Sequence, residues 1–331
     1  MARRKNYSNE NQFLRSLDGL AYGLFCSQVI GYTLNWIGTL LRQGQLSSWG
    51  NMITNLTGCA VGIGIAYATG ARGIVLISSA LAGAICQGGG TSWMICAYIA
   101  IMFSVYVGEF LRNKTPVDIF LTPMITVASA CVMVSFVAPY INIGVNWLMS
   151  QISIATTFSP VIMGMLVAIT MAILCVTPLN MLSVISIIGL GSIGCGAALA
   201  GICGTMLGLA IMSVDDNDLG DVIAIGIGTP ILQFKNILKN PLILIPPILS
   251  ALITGALSTS LFKLECTSYG ASVGCLFFEG PLAVINVMGN QAWLGLLITD
   301  IILPILICFS VYRSLKKLGW IKAGDLKIYH L

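Results

Sequence analysis

Runs of about 20 apolar residues recur from Gly19 to Tyr312, and that pattern restricts this chain more than any short motif does. A soluble helix needs only one apolar stripe, whereas a run apolar on all sides needs lipid or a deep core around it. Of the 331 residues, 57% are hydrophobic and 8% are charged, with a mean hydropathy of +0.93. Soluble domains carry about 25% charged residues. A chain this poor in charge could not clothe its own surface in water, so lipid must supply the missing shell. The 36 glycines fit the same class, because small residues let membrane helices approach closely.

The candidate spans are Gly19–Leu41, Asn51–Thr69, Gly73–Gly88, Ser92–Leu111, Ile119–Ala138, Pro160–Val176, Gly189–Met212, Val222–Leu238, Pro241–Phe262 and Ala292–Tyr312. Tyr140–Phe158 holds Asn142, Asn146, Trp147 and Gln151, a mixture suited to a helix lying in the interface. Ser272–Gly289 is short and interrupted, which reads as re-entrant. Basic residues mark the cytoplasmic side. Arg3, Arg4, Lys5 and Arg15 precede the first run, and Arg313, Lys316, Lys317, Lys322 and Lys327 follow the last. Both termini are therefore expected in the cytoplasm, which requires an even number of crossings. Letting Val222–Leu238 cross gives about ten. In that arrangement the acidic loop from Asp215 to Asp221 lies outside.

Several motif classes are absent. There is no phosphate-binding loop, no nucleophile elbow, and no metal-binding histidine pair; the one histidine, His330, is in the tail. From Asp216 the acidic loop brings Gly220 one place too early for a calcium loop, so it reads as a solvated turn. Eleven scattered cysteines form no CxxC pair and read as small buried hydrophobes. The net charge of +4 comes from the flanks and carries no nucleic-acid signature. No catalytic residue, metal or cofactor is expected.

Chemistry is expected where helices break. In lipid every backbone N–H and C=O needs a partner, so a break at membrane depth is tolerated only against protein or a wet cavity. Its freed groups then offer donors and acceptors to a solute. Breaks read at Thr177–Asn180, Gly228–Pro230 and Glu279–Pro281, and the Gly88–Gly90 run after Gln87 is a fourth candidate. Glu279 stands out: a carboxylate between CLFF and LAVI costs several kcal/mol unless paired, protonated or hydrated. Its two oxygens suit a sugar's hydroxyls; a salt bridge or helix cap is the structural alternative. Gln233 and Asn236 can donate and accept, with Thr229, Asn180, Asn286 and Gln87 as further candidate substrate ligands. Lys235 and Lys239 read as cytoplasmic loop lysines, Asp300 as half of a structural ion pair, and Glu109 as the local partner of Arg112.

The stretches GLGSIGCGAALAGICGTMLGLAIMS (Gly189–Ser213) and GIGTPILQFKNILKNPLILIPPILSALITGAL (Gly226–Leu257) resemble the membrane subunit, enzyme IIC, of the phosphoenolpyruvate-dependent sugar phosphotransferase system. The match is strongest to the standalone branch that includes proteins named as perfringolysin O regulators, and it runs from about Leu20 to Tyr312. The resemblance implies an all-α integral membrane protein with about ten transmembrane helices and re-entrant hairpins, acting as a dimer. It implies alternating access of a transport half against a scaffold, with the sugar phosphorylated on release by separate IIA and IIB subunits. By that likeness Glu279 contacts the sugar, with Gln233 and Asn236 nearby. The expected organisation is a cytoplasmic segment 1–18, a scaffold and dimerisation half 19–158, a transport half 159–312 and a cytoplasmic tail 313–331 in a bacterial cell membrane. ALAGAIC (Ala80–Cys86) and ALAGIC (Ala198–Cys203) hint at an inverted repeat between halves. Many relatives carry a histidine near the sugar and this chain has none in its membrane part, so a solute sensor without transport is the competing expectation. A channel is the third.

Overall fold

The structure, a computed structural model, describes residues 11–88, 90, 92–114, 116–155 and 159–330. All regular elements among them are helical. The chain divides into two compact units, residues 1–145 with 329–331, and residues 146–328.

In the first unit α1 (Gln12–Leu24) runs through a π turn at Phe25–Val29 into α2 (Ile30–Leu40). The next span is broken: α3 (Gly44–Asn55) and α4 (Thr57–Thr69) meet at 47° around Leu56. α5 (Ile74–Cys86) and α6 (Trp93–Leu111) follow. Glycine sets the contacts. A Cβ on Gly19 would strike the Gly64 carbonyl, and one on Gly83 the Gly58 carbonyl, so α1, α4 and α5 touch backbone to backbone. Glu109 pairs with Arg112 as expected, Nη1 donating to both carboxylate oxygens at 3.0 Å, and also accepts from the Arg72 backbone N–H at 3.1 Å.

α7 (Asp118–Ala155) departs from expectation. The sequence predicts a span ending at Ala138 and a separate interfacial helix from Tyr140, but one helix of 38 residues continues through Pro123 and Pro139. At 1.5 Å per residue it is about 57 Å long, nearly twice a bilayer's hydrocarbon core. Proline costs one backbone hydrogen bond and crowds the carbonyl four residues back, which membrane helices accommodate without ending.

The second unit is built around α10 (Ser192–Ser213), which is almost wholly buried. α8 (Pro160–Leu174) and α13 (Ile245–Ser260) pack on it through Ala168, Ala172 and Ala251. Thr205 Oγ1 donates to Gly201 O at 3.0 Å and Thr259 Oγ1 to Pro160 O at 2.7 Å, so hydroxyls return to backbone carbonyls in a dry interior. α16 (Ala292–Leu296), a π turn at Leu297–Ile302 and α17 (Leu303–Lys317) form the last long helical run, which packs against α10 and α13. Eight of the eleven cysteines are buried: Cys86, Cys96, Cys175, Cys195, Cys203, Cys266, Cys275 and Cys308.

Five helical runs among the described residues are long and apolar enough to cross a membrane, or six if the α3–α4 pair is one span. The remaining apolar sequence lies in shorter or broken helices. Val222–Leu238 is the clearest correction. It folds as α11 (Leu219–Ile223), a π turn at Ala224–Gly228, extended Thr229, a 3-10 turn at Pro230–Gln233 and α12 (Phe234–Lys239). The approach to this segment touches the tail through Asp216 and Asn217, and its far end through Gln233, Asn236 and Asn240. A crossing segment would set these groups about 30 Å apart. The segment therefore enters and returns on one side.

The acidic loop is corrected with it. Lys316 Nζ meets Asp215 Oδ2 at 3.0 Å, so loop and tail share a side rather than facing opposite ones. That bond and charge hold the Asp215 carboxyl below its usual range. Lys235 is buried, not part of a solvated loop. Asp300 is fully buried; Thr299 Oγ1 donates to its Oδ1 at 2.8 Å, and its Oδ2 has no partner among the described residues. Among the described residues the expected ion pair there is not formed.

Candidate functional site

The site begins with a hairpin. Thr267 Oγ1 accepts from Gly270 N at 3.1 Å and starts α14 (Ser268–Val273). Gly274, with φ +60°, turns the chain, and a 3-10 turn at Leu276–Phe278 leads to α15 (Glu279–Met288). Phe277 (φ 39°) and Phe278 (φ 62°) both occupy the left-handed region. Side chains of this bulk avoid it at a cost of about 1–3 kcal/mol each, so the surrounding structure must hold them there. It does so through close packing. A Cβ on Gly280 would strike Gly274 O and Leu199 Cδ1, and Cys275 N donates to Met206 Sδ at 3.3 Å, which seats the tip on α10.

Glu279 is the first residue of α15, where the helix dipole favours a negative charge. The Tyr269 hydroxyl, from the other arm, hydrogen-bonds its carboxylate. Its Oε2 is buried and has no partner among the described residues. This is neither the salt bridge nor the saturated cap that a structural role would give. Phe277 and Phe278 flank it at 38% and 48% exposure, so the tip presents a carboxylate beside two open aromatic rings. Tyr269, Phe277 and Phe278 are not among the residues that sequence reasoning singles out, although two aromatics directly before Glu-Gly-Pro are a visible signal.

The break expected at Glu279–Pro281 instead falls at Gly274–Phe278, directly before α15. The π turn Ala224–Gly228, which leads into the expected break at Gly228–Pro230, packs against the turn Leu276–Phe278. Thr229 follows the first turn directly; its N–H donates to Ala224 O at 2.8 Å and its Oγ1 accepts from Ile231 N at 3.4 Å. Asn286 lies two turns beyond Glu279 on α15 and is exposed. Asn180 caps α9 (Met181–Ile188), its Oδ1 accepting from Ser183 N at 3.2 Å, and α9 packs against α14.

The other candidates are engaged elsewhere. Gln233 Nε2 donates to Leu326 O at 2.8 Å, and Asn236 Nδ2 donates to Gln233 Oε1 at 2.7 Å and to Lys327 O at 3.1 Å. Gln87 lies in the first unit. It accepts from Gly58 N at 2.9 Å and donates to Thr54 O at 3.3 Å. Those are the two ends of the helix bond that the bend at Leu56 breaks, so the amide acts as a splint. Gln87→Ala is expected to cost about 1–3 kcal/mol by leaving Gly58 N–H without an acceptor. Thermal unfolding of the purified variant measures this, and an unchanged midpoint would refute the splint.

Close-packed glycine helices and long apolar helical runs define a multi-pass membrane protein. The family model described as Phosphotransferase system, EIIC matches residues 14–328, and the chain belongs to that family. It is thus a membrane permease component of a sugar phosphotransferase system, multi-pass in the cell membrane, and membership implies a sugar substrate with IIA and IIB partners. No curated protein and no solved structure matches the chain.

Proposed function

We propose that this chain moves a sugar by alternating access and releases it to a separate IIB subunit, which phosphorylates a sugar hydroxyl with phosphate received from IIA. The sugar sits where the two breaks pack together. The free Glu279 Oε2 carries this reading, because a buried carboxylate oxygen without a donor is matched by a hydroxyl. Phe277 and Phe278 supply flat apolar faces for the C–H side of a pyranose ring. Thr229 and Asn286 offer further polar contacts on either side. Residues 159–312 then form the moving half and 19–158 the scaffold. The side with Lys239, Lys316, Lys317, Lys322 and Lys327 is the cytoplasmic one, in keeping with the basic-residue rule.

Membranes containing the chain, mixed with IIA, IIB and phosphoenolpyruvate, are expected to phosphorylate at least one sugar of a broad panel. Membranes lacking the chain should phosphorylate none. Absence of both phosphorylation and uptake across the panel, together with altered gene expression on deletion, would replace the permease reading with a sensor.

A further inference from the structure

Residues 318–328 follow α17 as irregular chain, and five polar side chains of the same unit hold them. Asp216 accepts from two tail amides, Gly324 N at 2.9 Å and Leu326 N at 3.3 Å. Asn217 accepts from Ile328 N at 2.7 Å and donates to Leu326 O at 2.7 Å. From the far end of the re-entrant segment, Gln233 donates to Leu326 O and Asn236 to Lys327 O. Asn240 donates to Trp320 O and to Asp325 Oδ2, each at 3.0 Å. Apart from the Asp325 contact, each of these bonds reaches a tail backbone group. Leu326 and Ile321 are buried at 0% and 1% exposure, so the tail is seated as well as tethered.

This arrangement has a mechanical consequence. Asp216 and Asn217 stand before the re-entrant segment, while Gln233, Asn236 and Asn240 close its far end. The tail ties the two ends together across the mouth of the loop. Gly324, with φ +91°, makes the turn that lets Gly324 and Leu326 aim their amides at one carboxylate. Gln233 is fully buried, so its amide needs this partner, and losing it would leave a buried donor unpaired.

We propose that residues 318–328 are a latch occupying a backbone-reading peptide site, and that their release frees the segment Leu219–Lys239 to move. This goes beyond sugar binding, and its test involves no sugar. Because the site reads backbone, the latch depends on the tail's path more than on its side chains.

Hydrogen exchange on the purified full chain in lipid nanodiscs decides the matter. In the wild type, the amides of Gly324, Leu326 and Ile328 should be protected. Asp216→Ala removes the carboxylate, while Gly324→Val strains the turn without touching the acidic loop. Either variant should speed exchange of those amides about tenfold or more, with a matching rise across 229–240. Amides of Ala168–Ala172 in α8 should stay slow and report an intact fold. Two variants keep the test open if one fails to fold. A tail that exchanges freely in the wild type overturns the latch. So does a tail that loosens while 229–240 stays protected, or one that stays protected in both variants.

Discussion

Glu279→Gln should lower uptake of the transported sugar about 100-fold while leaving the folded protein at wild-type levels. A hydrogen bond to a charged group contributes roughly 1.5–3 kcal/mol. Converting the carboxylate to an amide weakens two such bonds to a sugar diol and replaces one acceptor by a donor. A loss near 3 kcal/mol corresponds to about a hundredfold. Folding should not suffer, because the shape is kept and a neutral amide is less costly to bury than a carboxylate whose Oε2 has no donor. Glu279→Asp keeps the charge but shortens its reach, so it should fall between the two. Equal uptake by Glu279→Gln and wild type, at equal membrane content, would remove Glu279 from the site.

Much of this organisation is legible in the amino-acid sequence. Apolar runs and scarce charge mark the membrane class, and the Gly–Pro cluster Gly228–Pro230 locates a break because both residue types act locally on the backbone, whereas Glu279–Pro281 opens α15 and the break falls just before it, at Gly274–Phe278. Glu279 is legible too, since an isolated carboxylate in an apolar run is conspicuous wherever it folds. The tail site is not. Asp216 and Leu326 are 110 positions apart, and bonds to a backbone leave no trace in the identity of the residue that makes them. The same reasoning explains Gln233 and Asn236, which read as sugar ligands by residue type and are instead held by carbonyls of the tail. Pro139 misleads in the opposite way: proline weakens a helix, yet only the packing and partners around it decide whether the helix ends. Gln87 stands out for its polarity, and its use as a splint depends on a bend at Leu56 with no proline to announce it.

The largest stability effect should come from Gly255. On α13 it faces Gly164 of α8, and a Cβ built there would strike the Gly164 carbonyl and the Ala168 Cβ. Neither neighbour can yield, since one is backbone and the other a methyl fixed to it. The helices must separate, and the contacts of Ala168, Ala172 and Ala251 loosen with them. The Thr259–Pro160 hydrogen bond, one turn further along α13, is strained too. Overpacking a dense core by a methylene costs about 1–3 kcal/mol, and a backbone collision belongs at the upper end. Gly255→Ala should therefore lower the unfolding temperature by several degrees, and Gly255→Leu should yield no monodisperse protein. Gly191→Ala is the control, because a Cβ there meets nothing within 4 Å and its φ of −70° suits any residue. The double variant Gly164→Ala/Gly255→Ala should cost less than the sum of the singles, since the first Cβ already parts the helices that the second would part again. Thermal unfolding in detergent, followed by size-exclusion chromatography, measures these four variants and Gly164→Ala alone. Wild-type stability of Gly255→Ala would mean that α8 and α13 do not meet along this glycine seam.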